Sequence, residues 1–164
     1  METRESPPLR RGWTTGACAT AAVRAGLCAL WGGAQLDEVQ ITLPKGETPV
    51  FKIAHREVTA DWVEIGITKD AGDDPDVTHG ALIIARVAPS SGGVHFHAGD
   101  GVGTITKAGL PIAVGEPAIN SVPRQMMQAQ VEELALRFGR PPNVDITIRI
   151  PGGKALALKT WNPR

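Results

Sequence analysis

Neither sign of charge is in excess in this sequence: 17 lysines and arginines offset 17 aspartates and glutamates across 164 residues. A chain with no basic surplus lacks the charge that a general nucleic-acid binder sets against phosphates. No apolar run approaches the roughly 20 residues of a membrane-spanning helix. Met1 to Pro8 is charged, contains proline and has no apolar h-region, so no secretory signal is visible. The expectation is a cytoplasmic protein with neither nucleic acid nor membrane as partner. Cysteine is scarce as well. Cys18 and Cys28 fall within one helical pattern, about 15 Å apart along the axis, whereas a disulfide needs about 4.4–6.8 Å between α-carbons. Both are read as free thiols, and Cys18 as a small packed residue in an alanine-rich helix rather than a nucleophile.

What is present is a hydrophobic content of 42%, enough in a chain of this length for one domain with a real core. Thr15 to Trp31 reads as a helix. Ala19, Val23, Leu27 and Leu30 lie at helical spacing, Thr14 or Thr15 can cap its start, and Gly32-Gly33 ends it. Short β-branched runs follow at Val39–Leu43, Val50–Ala54, Trp62–Thr68 and Ala81–Ala88, bounded by turn residues such as Pro44-Lys45-Gly46. His95–His97 and Thr104–Thr106 read as further short strands. A second helix spans Pro123 to Phe138, with Met127, Val131, Leu134 and Phe138 as its apolar stripe and Gly139, Pro141 and Pro142 as its stop. Val144–Ile150 and Ala155–Lys159, joined by Pro151-Gly152-Gly153, read as a C-terminal hairpin. Few helices and many strands, not strictly alternating, predict an α+β fold: a mixed or largely antiparallel sheet of several short strands with two main helices packed on it. Residues 1–10 are expected to be a flexible N-terminus and 11–164 a single α+β domain.

Three segments hold chemistry that a core does not ask for. Lys69-Asp70-Ala71-Gly72-Asp73-Asp74-Pro75-Asp76-Val77-Thr78 places four aspartates within seven residues, which repel unless solvent, donors or a cation separates them. Gly99-Asp100-Gly101-Val102-Gly103-Thr104-Ile105-Thr106-Lys107-Ala108-Gly109-Leu110 is glycine-rich, and Gly115-Glu116-Pro117-Ala118-Ile119-Asn120-Ser121-Val122-Pro123-Arg124 adds polar groups before the second helix. The glycine loop is neither a Walker A motif nor a dinucleotide fingerprint, because Thr104 and Ile105 stand where a lysine and a serine or threonine are needed, and Thr104 where a third glycine is needed. Two readings remain, a turn between strands and a loop offering N–H groups to an anion. The aspartate run fails the calcium-loop test at His79 and Ala85. Asp74, preceding Pro75, can cap a helical turn, which leaves Asp70 and Asp73 as the better candidates for chemistry. His95 and His97 share a strand face, but exposed loop histidines are the plainer reading, and no metal of the protein's own is expected. Arg10, Arg11, Lys69, Lys107 and Arg124 flank these segments, and the helix starts at Thr14–Ala17 and Asn120–Arg124 add free N–H groups; taken singly each basic residue reads as a solvated surface charge, and together they suit an acidic ligand.

These segments carry a family pattern. Arg11-Gly12-Trp13-Thr14-Thr15-Gly16-Ala17-Cys18-Ala19 resembles the opening motif of the cobalt-precorrin-5B C1-methyltransferases (CbiD) of cobalamin biosynthesis, and the Lys69–Thr78 run resembles that family's central signature. Gly101 to Lys107 with Gly109-Leu110, then Gly115 to Asn120 with Val122-Pro123-Arg124, are similar to its next two blocks. The resemblance implies S-adenosylmethionine-dependent methylation of a carbon on a cobalt-containing, ring-contracted tetrapyrrole, cobalt-precorrin-5B to cobalt-precorrin-6A, in the oxygen-independent branch of the pathway. Cobalt belongs to the substrate. Family members continue past this chain's ending into another glycine-rich region, so the chain reads as an N-terminal portion, and alone it is expected to be inactive. Asp100 stands where glutamate is expected, and His79 where a smaller polar residue is usual.

On this reading Asp70 and Asp73 are the catalytic candidates. Thr14, Thr15, Lys69, Asp74, Gly101, Gly103, Thr104, Lys107, Glu116, Asn120 and Arg124 are the candidates for binding the substrate, and no residues are assigned to S-adenosylmethionine. The partner is a carboxylate-rich corrinoid precursor, with a C-terminal half or a second copy of the chain as protein partner. The competing reading is a non-catalytic tetrapyrrole- or anion-binding module, or a partner subunit.

Overall fold

The computed structural model of the chain describes residues 14–69, 82–99, 119 and 121–151. Its first element, α1 (Thr15–Gly32), opens with Thr14 as the cap: Thr14 Oγ1 accepts from the Ala17 N–H at 3.0 Å. It closes on Gly33, whose φ of 68° lies in the left-handed region and whose N–H donates to Ala29 O. The sequence pattern predicts one apolar face. The helix is instead buried around nearly its whole circumference from Thr15 to Ala29, with Arg24 the partly exposed exception. The reason is its place between two layers. One side lies on the sheet and the other on the second helix, and a helix built of alanine, glycine, threonine and cysteine is slim enough to be enclosed this way.

Two short strands, β1 (Glu38–Gln40) and β2 (Val50–Lys52), form an antiparallel hairpin. Its bonding continues outward through Ile41 N to Pro49 O and Leu43 N to Glu47 O, so the expected turn at Pro44-Lys45-Gly46 stands although the regular strands are shorter than predicted. The main sheet contains β3 (His55–Val58), β4 (Val63–Thr68), β5 (Leu82–Pro89), β6 (Val94–Ala98) and β7 (Val144–Arg149). Its order is β3-β4-β5-β7-β6, antiparallel except for the β6–β7 pair. The fold is therefore α+β with a mixed sheet, as the sequence predicts. The sequence reading does not find β3, because His-Arg-Glu-Val is a polar, half-exposed edge strand with no apolar run to mark it.

The second helix, α2 (Ser121–Phe138), buries Met127, Val131 and Leu134 against α1, and Phe138 is partly buried at its end. Sheet residues Val63, Ile65, Ile67, Ile83, Ala85, Val87, Val144, Ile146 and Ile148 supply the other side of the core. Each buried aliphatic side chain of this kind contributes about 1.5–3 kcal/mol. The predicted strands Thr104–Thr106 and Ala155–Lys159, and the expected flexible N-terminus, lie outside the described residues.

Candidate functional site

Chain direction decides which end of the domain holds the unusual segments. α2 runs through Gly139–Asn143 into β7, whose first residue, Val144, pairs with Pro89 at the end of β5 and with Val94 at the start of β6. The end of α2 therefore lies at that edge of the sheet, and its start lies at the opposite edge. α1 runs parallel to it: Gly16 packs on Pro123 at one end, Gly32 on Phe138 at the other, and Arg24 reaches Gln130 between them. Both helix starts thus sit together where β4 and β6 finish and β5 begins. Thr68 pairs with Leu82 at this edge, so residues 70–81 are joined to the sheet there at both ends. Gly99 donates to Ile148 O at 2.8 Å, and Arg124 Nε donates to Ile119 O at 2.8 Å, so residues 100–118 are also attached at this end. The attachment points of all the motif segments converge although the segments are far apart in sequence.

The contact between the helix starts is close. A β-carbon on Gly16 would stand 2.7 Å from Pro123 Cγ, so only glycine lets the first turns of α1 and α2 touch. The helical ladder of α1 begins with the Cys18 N–H on Thr14 O, and Thr14 Oγ1 takes the Ala17 N–H. The N–H groups of Thr15 and Gly16 precede that ladder, at the positive end of the helix dipole. Thr15 is fully buried, and its Oγ1 has no hydrogen-bond partner among the described residues. Arg124 is an anchor as well as a charge, since its guanidinium lies 5.2 Å from the Phe96 ring centroid. Lys69 is 1% exposed, which makes it part of the interior and not a solvated counter-charge. Asp70, Asp73, Asp74, Gly101, Gly103, Thr104, Lys107, Glu116 and Asn120 lie outside the described residues.

The opposite face of the sheet holds a network that the sequence reading missed. Glu64 is 2% exposed. It accepts from Arg149 Nη2 at 2.9 Å, from Arg86 Nε at 3.1 Å and from His55 Nε2 at 3.1 Å, and Arg86 stacks 3.7 Å over Trp62. Charged residues at alternate positions of apolar strands were the available signal, but joining them requires the register of three strand pairs. His55, Glu57 and Glu64 bring their ligand atoms within 4.8 Å of one another. Both Glu64 oxygens are already held by arginines, so the group is an ion-pair network. His95 and His97 are likewise committed, to Gly92 O at 2.6 Å and to Asp145 Oδ1 at 3.0 Å. Cys18 and Cys28 are buried free thiols, and burial pushes the Cys28 thiol up, away from a reactive thiolate.

Burial alone would raise the Glu64 carboxyl, but hydrogen bonds from Arg149 and His55, the Arg149 charge and the Arg86 hydrogen bond outweigh it and hold the group below its ordinary value. A carboxyl depressed in the folded state stabilises fully above the unfolded value of about 4.3, and that stabilisation is lost as pH falls through the folded value. Glu64→Gln is expected to cost about 1–3 kcal/mol at pH 7. Urea denaturation from pH 7 to pH 2.5 checks this: the difference between wild type and variant should shrink at the acid end, and a constant difference would exclude the ionised Glu64 as its source.

The CbiD family model matches residues 2–164. The chain belongs to the CbiD family. Curated relatives named cobalt-precorrin-5B C(1)-methyltransferase include a Brucella anthropi protein, 54% identical over 99% of this chain and 45% of its own length. A Paramagnetospirillum magneticum protein of that name is 56% identical over 95% and 44%, and a Burkholderia cenocepacia protein 57% identical over 99% and 46%. The crystal structure of a cobalamin biosynthesis protein (cbiD) from Archaeoglobus fulgidus superposes with a TM-score of 0.67 at 26% identity, covering 94% of this chain and 48% of the other. The chain thus spans just under half the length of these CbiD relatives. Among the described residues, no helix is long and apolar enough to cross a membrane.

Proposed function

We propose that this chain is part of a cytoplasmic methyltransferase that carries a methyl group from S-adenosylmethionine to a ring carbon of cobalt-precorrin-5B, giving cobalt-precorrin-6A. The observation that carries the reading is identity of 54–57% across nearly the whole chain to proteins bearing that name. The convergence of helix starts and motif attachments at one edge supports it, because a large flat macrocycle rimmed with carboxylates needs donors spread over a broad rim.

Methyl transfer from a sulfonium is an in-line displacement. The protein's work is to align the acceptor carbon and to exclude water, with no covalent intermediate. Asp70 and Asp73 are assigned the polar role, taking a proton or holding a hydrogen bond that keeps the acceptor carbon nucleophilic. Gly101 and Gly103 let the backbone lie against the ring, and Lys107 and Arg124 pair with peripheral carboxylates. Thr14 and Thr15 contribute the start of α1. S-adenosylmethionine supplies the methyl group when bound. Among the described residues, the donors at the start of α1 suit its carboxylate as well as one from the macrocycle.

The test is incubation of the protein with cobalt-precorrin-5B and S-adenosylmethionine, followed by mass analysis, beside a binding titration over a salt series. The chain as given is expected to bind the corrinoid, more weakly as salt rises beyond physiological strength, where charges are screened over about 8 Å, and to yield methylated product only together with the remainder of the family's length. Binding without product even in the full-length protein would favour the non-catalytic module. Salt-independent binding would remove the carboxylate–cation pairing.

A further inference from the structure

The geometry points to a carboxylate-binding pocket inside the domain, between the first turn of α1 and the last residues of β4, with the Thr15 hydroxyl as its specific donor. This rests on the proposed function for the identity of the ligand but not for the existence of the pocket. Thr15 and Gly26 are eleven residues apart in α1, about three full turns, so they share a face. That face lies on the sheet, because a β-carbon on Gly26 would meet Val87 Cγ2 at 2.9 Å and Ile65 Cγ1 at 3.7 Å. Thr15 therefore points into the helix–sheet layer about 16 Å from Gly26, towards the end of β4. Lys69 stands at that end. It follows Val63, Ile65 and Ile67 in the alternation of helix-facing residues, Thr68 before it is exposed, and it is itself 1% exposed.

The layer at this end thus combines a buried lysine, two N–H groups ahead of the helical ladder, and a buried hydroxyl that has no hydrogen-bond partner among the described residues. An orphaned hydroxyl costs about 1–3 kcal/mol, and native interiors seldom retain one without a ligand or water to satisfy it. A core threonine kept only for its shape would gain by becoming valine. An anion with two acceptor oxygens fits the donor set: one oxygen takes the hydroxyl and the other the N–H groups, while the dipole of an 18-residue helix favours the charge. Two ligands of the proposed reaction carry that chemistry, the macrocycle with its peripheral carboxylates and S-adenosylmethionine with its amino-acid end.

The test compares Thr15→Val, which keeps shape and removes the hydroxyl, with Thr15→Ser, which restores it. Calorimetric titrations use cobyrinic acid, its methyl ester and S-adenosylmethionine. Thr15→Val should weaken one of the two acids about tenfold, the loss expected for one hydrogen bond to a charged group; Thr15→Ser should restore it, and the neutral ester should be unaffected. The acid that responds identifies the source of the carboxylate. The thermal midpoint of Thr15→Val should equal or exceed that of wild type, since no partner among the described residues is lost, and a lower midpoint would assign the hydroxyl to structure and overturn the pocket. Equal affinities of wild type and Thr15→Val for both acids would overturn it too. If wild type binds neither acid, the proposed function fails and the pocket is decided by acetate alone. Acetate should then shift the Thr15 and Gly16 amide resonances in wild type but not in Thr15→Val, and unmoved resonances would end the inference.

Discussion

Replacing Asp70 and Asp73 together by alanine is expected to lower the rate of corrinoid methylation in the full-length enzyme at least tenfold while leaving the thermal midpoint near that of wild type. Carboxylates concentrated as in Asp70, Asp73, Asp74 and Asp76 repel one another and are retained at an electrostatic cost. A positioned proton acceptor typically contributes about 10²–10⁴-fold, so a tenfold loss is a lower bound if either carboxylate acts on the acceptor. Thr68 and Leu82, the paired residues on either side of this segment, stand at the edge where the two helix starts meet, the end of the molecule where the substrate is proposed to bind. The measurement is product formation under single turnover, with circular dichroism confirming the fold. An unchanged rate would end the catalytic assignment, and a collapsed thermal midpoint would give the pair a structural role instead.

Local signals were readable from the sequence and long-range ones were not. Thr14 announces its cap, Gly33 its stop, and Met127, Val131 and Leu134 the buried stripe of α2, because each acts within a few residues of itself. The enclosure of α1 was not readable, since an alanine-rich helix suits one packed face or two equally well. The strand His55–Val58 escaped because an edge strand paired on one side tolerates polar residues on both faces. The Glu64 network depends on the register of β3 with β4, β4 with β5 and β5 with β7, and the sequence does not state register. The candidate site was legible as a set of unusual segments. That their attachment points meet at one edge follows from the parallel packing of α1 and α2, which hangs on contacts such as Gly16 with Pro123 across more than a hundred residues. Lys69 was read as a basic residue flanking the aspartate run and a candidate for binding the substrate. Its burial, one position past the end of β4, follows from the fold and not from the local charge pattern.

Gly26→Ala tests the packing of α1 on the sheet, and the sign of the effect decides it. In the middle of an exposed helix, replacing glycine by alanine stabilises by about 1 kcal/mol. Here the new β-carbon would stand 2.9 Å from Val87 Cγ2, inside the distance that real carbon atoms keep. Val87 cannot easily yield, because it is fully buried and its branched side chain has little rotamer freedom. Overpacking of this kind costs about 1–3 kcal/mol, so it exceeds the gain in helix propensity and the variant should be less stable by about 1–2 kcal/mol. Val87→Ala alone should also destabilise, by opening a cavity. Combined with Gly26→Ala it should cost less than the sum of the two, because the added methyl group enters the space that the lost ones leave, and a coupling of about 1 kcal/mol is expected for residues in such contact. Denaturant titration of the four proteins measures the cycle. A stabilised Gly26→Ala, or strict additivity, would mean that α1 does not lie against β5 at this depth. The start of α1 would then lose the support that holds Thr15 over the end of β4, and with it the geometric basis of the carboxylate pocket.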